Sequence, residues 1–332
     1  MKNAICTVVE TADRIKAGEK LVIAADEALL RQLPKGDWIG GTSVYFLTDG
    51  GGREERERLF VTQVDAQNCV VKHLDQADLK DFAAAQFKSG LTILLIPGFS
   101  NAHQEYAIHG PGYDGLFDQP VVGWISGVHL DDIGQVSPKV FDGTSGQAHD
   151  DGAVVMYVDA AGGQAPTVDI LNLFHQDTAS PTLKFASSVF SATEVFVDCK
   201  PVNLAQYITE NEINTQLPLV ANYSGAMINV SVQNVDLAQG KVDFYAPVVP
   251  DVEYRLAADP GPYAEVFASR LTAEGTHALS YNCILNYLYG ELEGKTTGTF
   301  TGPATFGEIA YILLNQTMVY VEDAAHPKDK AA

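Results

Sequence analysis

Between positions 277 and 323 the chain gathers the side chains best suited to chemistry: Asn282, Cys283 and Asn286, then Thr305 and Glu308. A cysteine serves as a nucleophile when its pKa is depressed and it can be reached. The apolar neighbours Ile284 and Leu285 predict an inert, buried thiol instead. Glu308 directly follows Gly307, between Phe306 and Ile309. An acid there either faces solvent on a turn or is held by donors beside a cavity, since burying it unpaired costs about 5 kcal/mol. Beside a cavity it suits the amino group of a ligand, with the amides of Asn282 and Asn286 and the hydroxyl of Thr305 to orient it. A turn carboxylate that accepts backbone N–H groups is an equally good role for Glu308, and core packing is the ordinary role of Cys283 and Thr305.

A second set lies in the first half. Gly40 and Gly41 interrupt an apolar strand over 38–47 and lead into Thr42 and Ser43, and a strand over 120–129 carries Trp124 and Ser126 among further glycines. Glycine inside a strand forfeits packing, so it marks a bulge or the close approach of another backbone or a ligand. Gly41, Thr42, Ser43, Trp124 and Ser126 are expected to face the first set across a cavity, although packing is the ordinary role of Trp124. Ser100, Asn101 and His103 follow the turn that ends a strand over 91–96, where αβ proteins often place binding groups. Asp142, His149, Asp150 and Asp151 carry no metal-ligand spacing and read as a solvated hairpin loop.

The positioning elements alternate. Helices are expected over 11–18, 26–33, 79–88 and 102–109, and strands over 21–25, 38–47, 59–64, 91–96, 120–129 and 151–158. The strand over 91–96 is apolar throughout and calls for cover on both faces. A Gly/Ala/Pro stretch over 160–166 is the best linker. Beyond it come strands over 168–174, 194–198, 225–230, 241–245 and 252–256, a turn into a helix with Pro201 in its first turn, a helix over 262–271, and a closing strand over 316–321. The expected fold is α/β (mixed αβ): two tandem halves, 1–165 and 166–332, with mixed sheets packed in layers with helices.

The chain has 332 residues, 46% of them hydrophobic, enough for a full core. Its 42 acidic and 21 basic residues give a formal charge of −21, which disfavours nucleic acid and anionic membranes as partners. No apolar run reaches the ~20 residues of a membrane span, and the first residues lack a signal-peptide core, so a cytoplasmic protein is expected. Cys6, Cys69, Cys199 and Cys283 are scattered, without CxxC or zinc spacing. There is no phosphate loop, no dinucleotide-binding GxGxxG, no GxSxG elbow and no HExxH. No cofactor is expected.

Cys283, the run Phe306-Gly307-Glu308-Ile309 and Asn315-Gln316-Thr317 together resemble the C-terminal half of the FIST family of bacterial sensory domains. Gly40 to Ser43 and the 151–155 strand are similar to its N-terminal half, while Asn282 and Asn286 stand where that family has serine and arginine. The resemblance implies a non-enzymatic module that binds a small-molecule ligand, amino acids or related metabolites, and signals through a separate output protein. The alternative is a cysteine-dependent hydrolase or transferase using Cys283, with His277 or His129 as its base.

Overall fold

The computed structural model describes residues 1–160, 165–223, 225–262, 265–266, 269 and 279–322. The fold is mixed α/β, as composition and patterning predict. Three six-stranded sheets surround one apolar core. The first runs, in spatial order, Lys2–Cys6, Leu59–Gln63, Leu21–Ala25, Trp38–Thr42, Val140–Asp142 and Gln147–His149. The second runs Ile312–Leu314, Glu308–Ala310, Val121–Ser126, Gly90–Pro97, Ala153–Asp159 and Cys69–Leu74. The third runs Thr167–Asn172, Thr317–Glu322, Ser280–Cys283, Gly302–Thr305, Tyr45–Thr48 and Gly51–Glu54. The common core takes Ile39 and Phe60 from the first, Ile93 and Trp124 from the second, and Phe46, Tyr281 and Val319 from the third. Two of these sheets therefore draw strands from both sides of residue 165.

The Gly90–Pro97 strand is buried along its whole length because both faces are covered. Ile93 and Leu95 point to the common core, while Leu94 and Ile96 pack with Ala102 and Tyr106 of the Asn101–His109 helix. On the far face of the first sheet lies the Val8–Lys16 helix. Its start is Thr7 and not Thr11: Thr7 and Glu10 form a capping box, and Thr11 is buried in the helix body. A separate apolar cluster, from Leu183 to Tyr254, joins a further six-stranded sheet, a three-stranded sheet and the Leu204–Glu210 helix.

Several elements depart from their expected form. The single strand expected over 38–47 is two, Trp38–Thr42 and Tyr45–Thr48, in different sheets. The chain changes partners at Ser43, whose N–H bonds Ala25 O while its hydroxyl donates to Ala304 O at 2.8 Å. The segment over 79–88 is a 3-10 helix, Gln76–Ala85, burying Leu79 and Phe82 at the three-residue spacing of that helix. Pro201 lies in an edge strand, Lys200–Asn203, where its missing N–H is harmless, and the helix after it is capped by Asn203. Glu308 belongs to a buried strand, not a turn, paired with Val121–Ser126. Most of the helix expected over 262–271, the centre of the 160–166 linker, and His277 fall outside the described residues. Among those described, no helix is long and apolar enough to cross a membrane.

Candidate functional site

The two sets of predicted residues do come together. Glu308 stands opposite Trp124 in register. The Trp124 ring packs on Tyr281 with centroids 4.9 Å apart. Trp124 also lies over Gly41: a Cβ there would come within 2.9 Å of Trp124 Nε1 and 3.4 Å of Ser126 Cβ. The Gly41 backbone is thus a shelf for an indole, and the close approach predicted from its glycine is made by Trp124. Thr42 exchanges hydrogen bonds with the backbone of Lys139, and Ser43 is tied to Ala304.

Glu308 is fully buried. Its Oε2 accepts the Thr317 hydroxyl at 2.9 Å and the Thr317 N–H at 3.4 Å, while Oε1 has no partner of ordinary hydrogen-bond geometry. The Cys283 thiol lies against this carboxyl and also receives the N–H groups of Gln316 and Leu285. Gln316 supplies its N–H from a left-handed conformation, φ +50°, uncommon for a residue with a side chain. Burial, then the Glu308 charge, push the Cys283 pKa well above that of an ordinary thiol, against both N–H donors. Burial pushes the Glu308 carboxyl up as well, against its bonds from Thr317. Both groups therefore favour their neutral forms. Asn282 and Asn286 form a pair of their own: Asn286 Nδ2 donates to Asn282 Oδ1 at 2.9 Å and to Thr317 O at 3.0 Å. Thr305 donates to Asn282 O and Gly307 O, holding the crossing in place.

Space for a ligand begins on the other side of Cys283. Two adjoining pockets, of about 180 and about 50 Å3, share Phe99, Gln233, Tyr245 and Phe306 as walls. The smaller ends on Cys283 and Asn315, and the larger holds His103, Ser191 and Asp243. The cleft is built at the C-terminal end of the central Gly90–Pro97 strand. There Phe99 is held at φ +65° and packs edge-on against Phe306, centroids 5.7 Å apart. Ser100 caps the helix that follows, accepting from His103 N at 3.0 Å. His103 Nδ1 accepts the Phe99 N–H at 3.3 Å, so in the neutral ring the proton sits on Nε2. Nε2 is buried and has no partner among the described residues. Burial lowers the His103 pKa to about 4, so the ring is neutral near pH 7 and offers an N–H donor.

Other groups around the cleft are complementary. Burial alone would raise the Asp243 pKa, but bonds from Ser191, Lys241 and Asn234 outweigh it and hold the carboxyl below its ordinary value. Tyr245 is pushed up to about 12, mainly by burial. Asn315 Oδ1 accepts from the Ser231 N–H and hydroxyl, and its buried Nδ2 has no partner among the described residues. Neither pocket includes a lysine or arginine in its lining. A wider depression of about 420 Å3 beside Thr42 is lined with charges that pair among themselves, Arg31 with Glu27 and Arg56 with Asp132.

Of the residues expected to bind, Cys283 alone lines this cleft, together with His103 from the central turn. Phe99, Gln233, Asp243 and Tyr245 carried no sequence signal of their own, and Asn315 stood out only within the run Asn315-Gln316-Thr317. Asp243 sits at an alternating position of its strand, where an acid reads as a solvent-facing residue. The supposed metal-like loop is made of separate contacts: Asp142 caps Thr144 and Ser145, Asp151 binds Asn101 and the Ala102 N–H, and His149 stacks on His73.

No curated protein and no solved structure matches the chain. The family model that matches is "Family of unknown function (DUF6976)", over residues 6–323, and none for the FIST family does. The resemblance rested on short runs, Phe306 to Ile309 and Asn315 to Thr317, whose residue types a buried strand pair and its corner also require. The chain belongs to the family of unknown function DUF6976, and the FIST expectation is corrected accordingly.

Proposed function

We propose that this protein binds a compact, flat, carboxylate-free amine in the cleft between Phe99, Phe190, Phe306 and Tyr245. The observation that carries the reading is His103, a neutral ring whose unpartnered Nε2–H is buried at the cleft wall. A buried donor left unmatched costs about 1–3 kcal/mol, which a ligand acceptor offsets. Asp243 is ionised and lines the same pocket; its Oδ1 is taken by Ser191 and Lys241, while its Oδ2, with only Asn234 at 3.4 Å, suits an amino group. Aromatic walls favour a planar ligand. The cleft is below the ~300 Å3 common for drug-sized ligands, which points to a single ring with a short substituent. With no cation among the described lining residues, the neighbouring Lys241 already paired with Asp243, and a net charge of −21, a ligand carboxylate would go unmatched, so amines are favoured over amino acids. The raised pKa of Cys283 supports this role over thiol catalysis, since a neutral buried thiol is a poor nucleophile.

Calorimetry with tyramine and histamine, each beside its carboxylated counterpart, tyrosine or histidine, tests the reading. At least one amine should bind the wild type and lose about tenfold or more in affinity in His103→Gln and Asp243→Asn. If no amine binds, or if the amino acids bind as well as the amines, the reading fails.

A further inference from the structure

A second cavity is separate from this cleft, and its chemistry is different. It measures about 500 Å3 and lies between the Asn101–His109 helix with the Glu308–Leu314 hairpin on one side and the strands of the C-terminal sheets on the other. Ile108, Ile228, Ile312 and Leu313 are among its walls, and among the described residues the lining contains no Asp, Glu, Lys or Arg. Asn229, the one side-chain amide in the lining, is engaged elsewhere: it donates to Asn172 Oδ1 and to the carbonyls of Asn315 and Gln316. Tyr254 accepts the Val249 N–H at 2.9 Å. The polar atoms at the wall thus serve the fold.

Folding does not account for the rim. Phe117, Ile170 and Tyr223, exposed by 64%, 46% and 42%, all stand in this lining. Large apolar side chains gathered on one concave site, and not scattered singly, mark a binding surface. Three strands that end their sheets converge here: Thr167–Asn172, Ala226–Val230 and Ile312–Leu314. Convergence of sheet ends leaves a hollow that no single sheet can fill. The volume lies within the ~300–1,000 Å3 of small-molecule sites, and a concave hollow of that size suits a compact molecule better than the flat face of a folded partner.

We propose that this cavity is a binding site for an uncharged apolar small molecule, of the long-chain alcohol or fused-ring hydrocarbon class. An ionised fatty acid is excluded by the same features: its carboxylate would meet no cation in the wall, and the chain's charge of −21 opposes its approach. The site is independent of the aromatic cleft, with which it shares no lining residue.

The test uses the full chain and N-phenyl-1-naphthylamine, a neutral probe that fluoresces in apolar surroundings. The wild type should bind it saturably, and dodecanol should displace it at about tenfold lower concentration than dodecanoate. Ala226→Trp, which fills the hollow from an exposed position, and Ile170→Glu, which puts a charge on the rim, should each weaken the probe about tenfold or more while the melting temperature holds. His103→Gln should leave the probe unaffected, which separates failure of this site from failure of the amine cleft. Absent saturable binding, or an affinity that neither cavity variant changes, overturns the proposal. So does equal displacement by dodecanoate, or a sedimentation result in which Ile170→Glu dissociates a dimer while the wild type takes up no probe.

Discussion

Glu308 and Trp124 stand directly across from one another on paired antiparallel strands, both essentially without solvent exposure. A carboxyl group shares a face with one of the two tryptophans of the core. Its neutral form is the one this setting favours.

The pH dependence of stability follows from that. The Glu308 pKa is raised above its ordinary value of 4.5, so as pH rises past 4.5 the unfolded chain gives up a proton that the native state retains. Stability is therefore lost with rising pH until the native group also ionises. Glu308→Gln keeps the shape and removes the titration. The variant should melt higher than the wild type, by a margin that widens as the pH rises above 4.5. A margin that is constant or shrinks over that range would mean that Glu308 is ionised in the native protein.

His103 gives a contribution in the acid range. Its pKa is lowered from 6.5 to about 4, so below 6.5 the unfolded chain takes up a proton that the native ring refuses until about 4. Stability should fall across that window, by about 3 kcal/mol in all. Urea unfolding at a series of pH values should show a shallower acid fall in His103→Gln. Parallel curves for variant and wild type would contradict a neutral, buried imidazole.

Gly41→Ala probes the shelf beneath Trp124. The added methyl meets Trp124 Nε1 at 2.9 Å and Cε2 at 3.3 Å, in an indole clamped by Tyr281 on its other side. The expected loss is about 1–3 kcal/mol by denaturant titration. A neutral outcome would show that the indole can move aside.

Cysteine labelling ranks the thiols. Cys199 is exposed, whereas Cys283 is buried with its pKa raised by burial and by Glu308. Iodoacetamide under native conditions should modify Cys199 at least about 100-fold faster than Cys283, read by peptide mass spectrometry. Rapid, stoichiometric labelling of Cys283 would instead favour covalent chemistry in the cleft.

What the sequence made legible followed from local pattern. The continuous apolar run over 91–96 announced a strand covered on both faces, and the turn after it located His103 and hence one end of the cleft. The glycine beside Thr42 correctly announced a close approach, but pattern could not tell whether a ligand or an indole makes it. Glu308 was misplaced for a related reason. Phe-Gly-Glu-Ile reads as a corner because acids rarely enter a sheet, and only the pairing with Val121–Ser126 and the bonds from Thr317 let this one do so. Asp243, Tyr245 and Gln233 meet Phe99 through contacts distant in the chain, which no periodicity encodes.

The third sheet sets the order in which this molecule can assemble. Phe46 pairs with Pro303, and Val168 with Val321, so Tyr45–Thr48, though paired early with Gly51–Glu54, lacks its second neighbour, and Thr167–Asn172 lacks its sheet partner, until the last part of the chain emerges. Such distant pairings slow folding and leave sheet edges open meanwhile. A nascent chain stalled before residue 300 should therefore be a sticky, protease-sensitive intermediate in need of a chaperone, however well its first 160 residues are patterned.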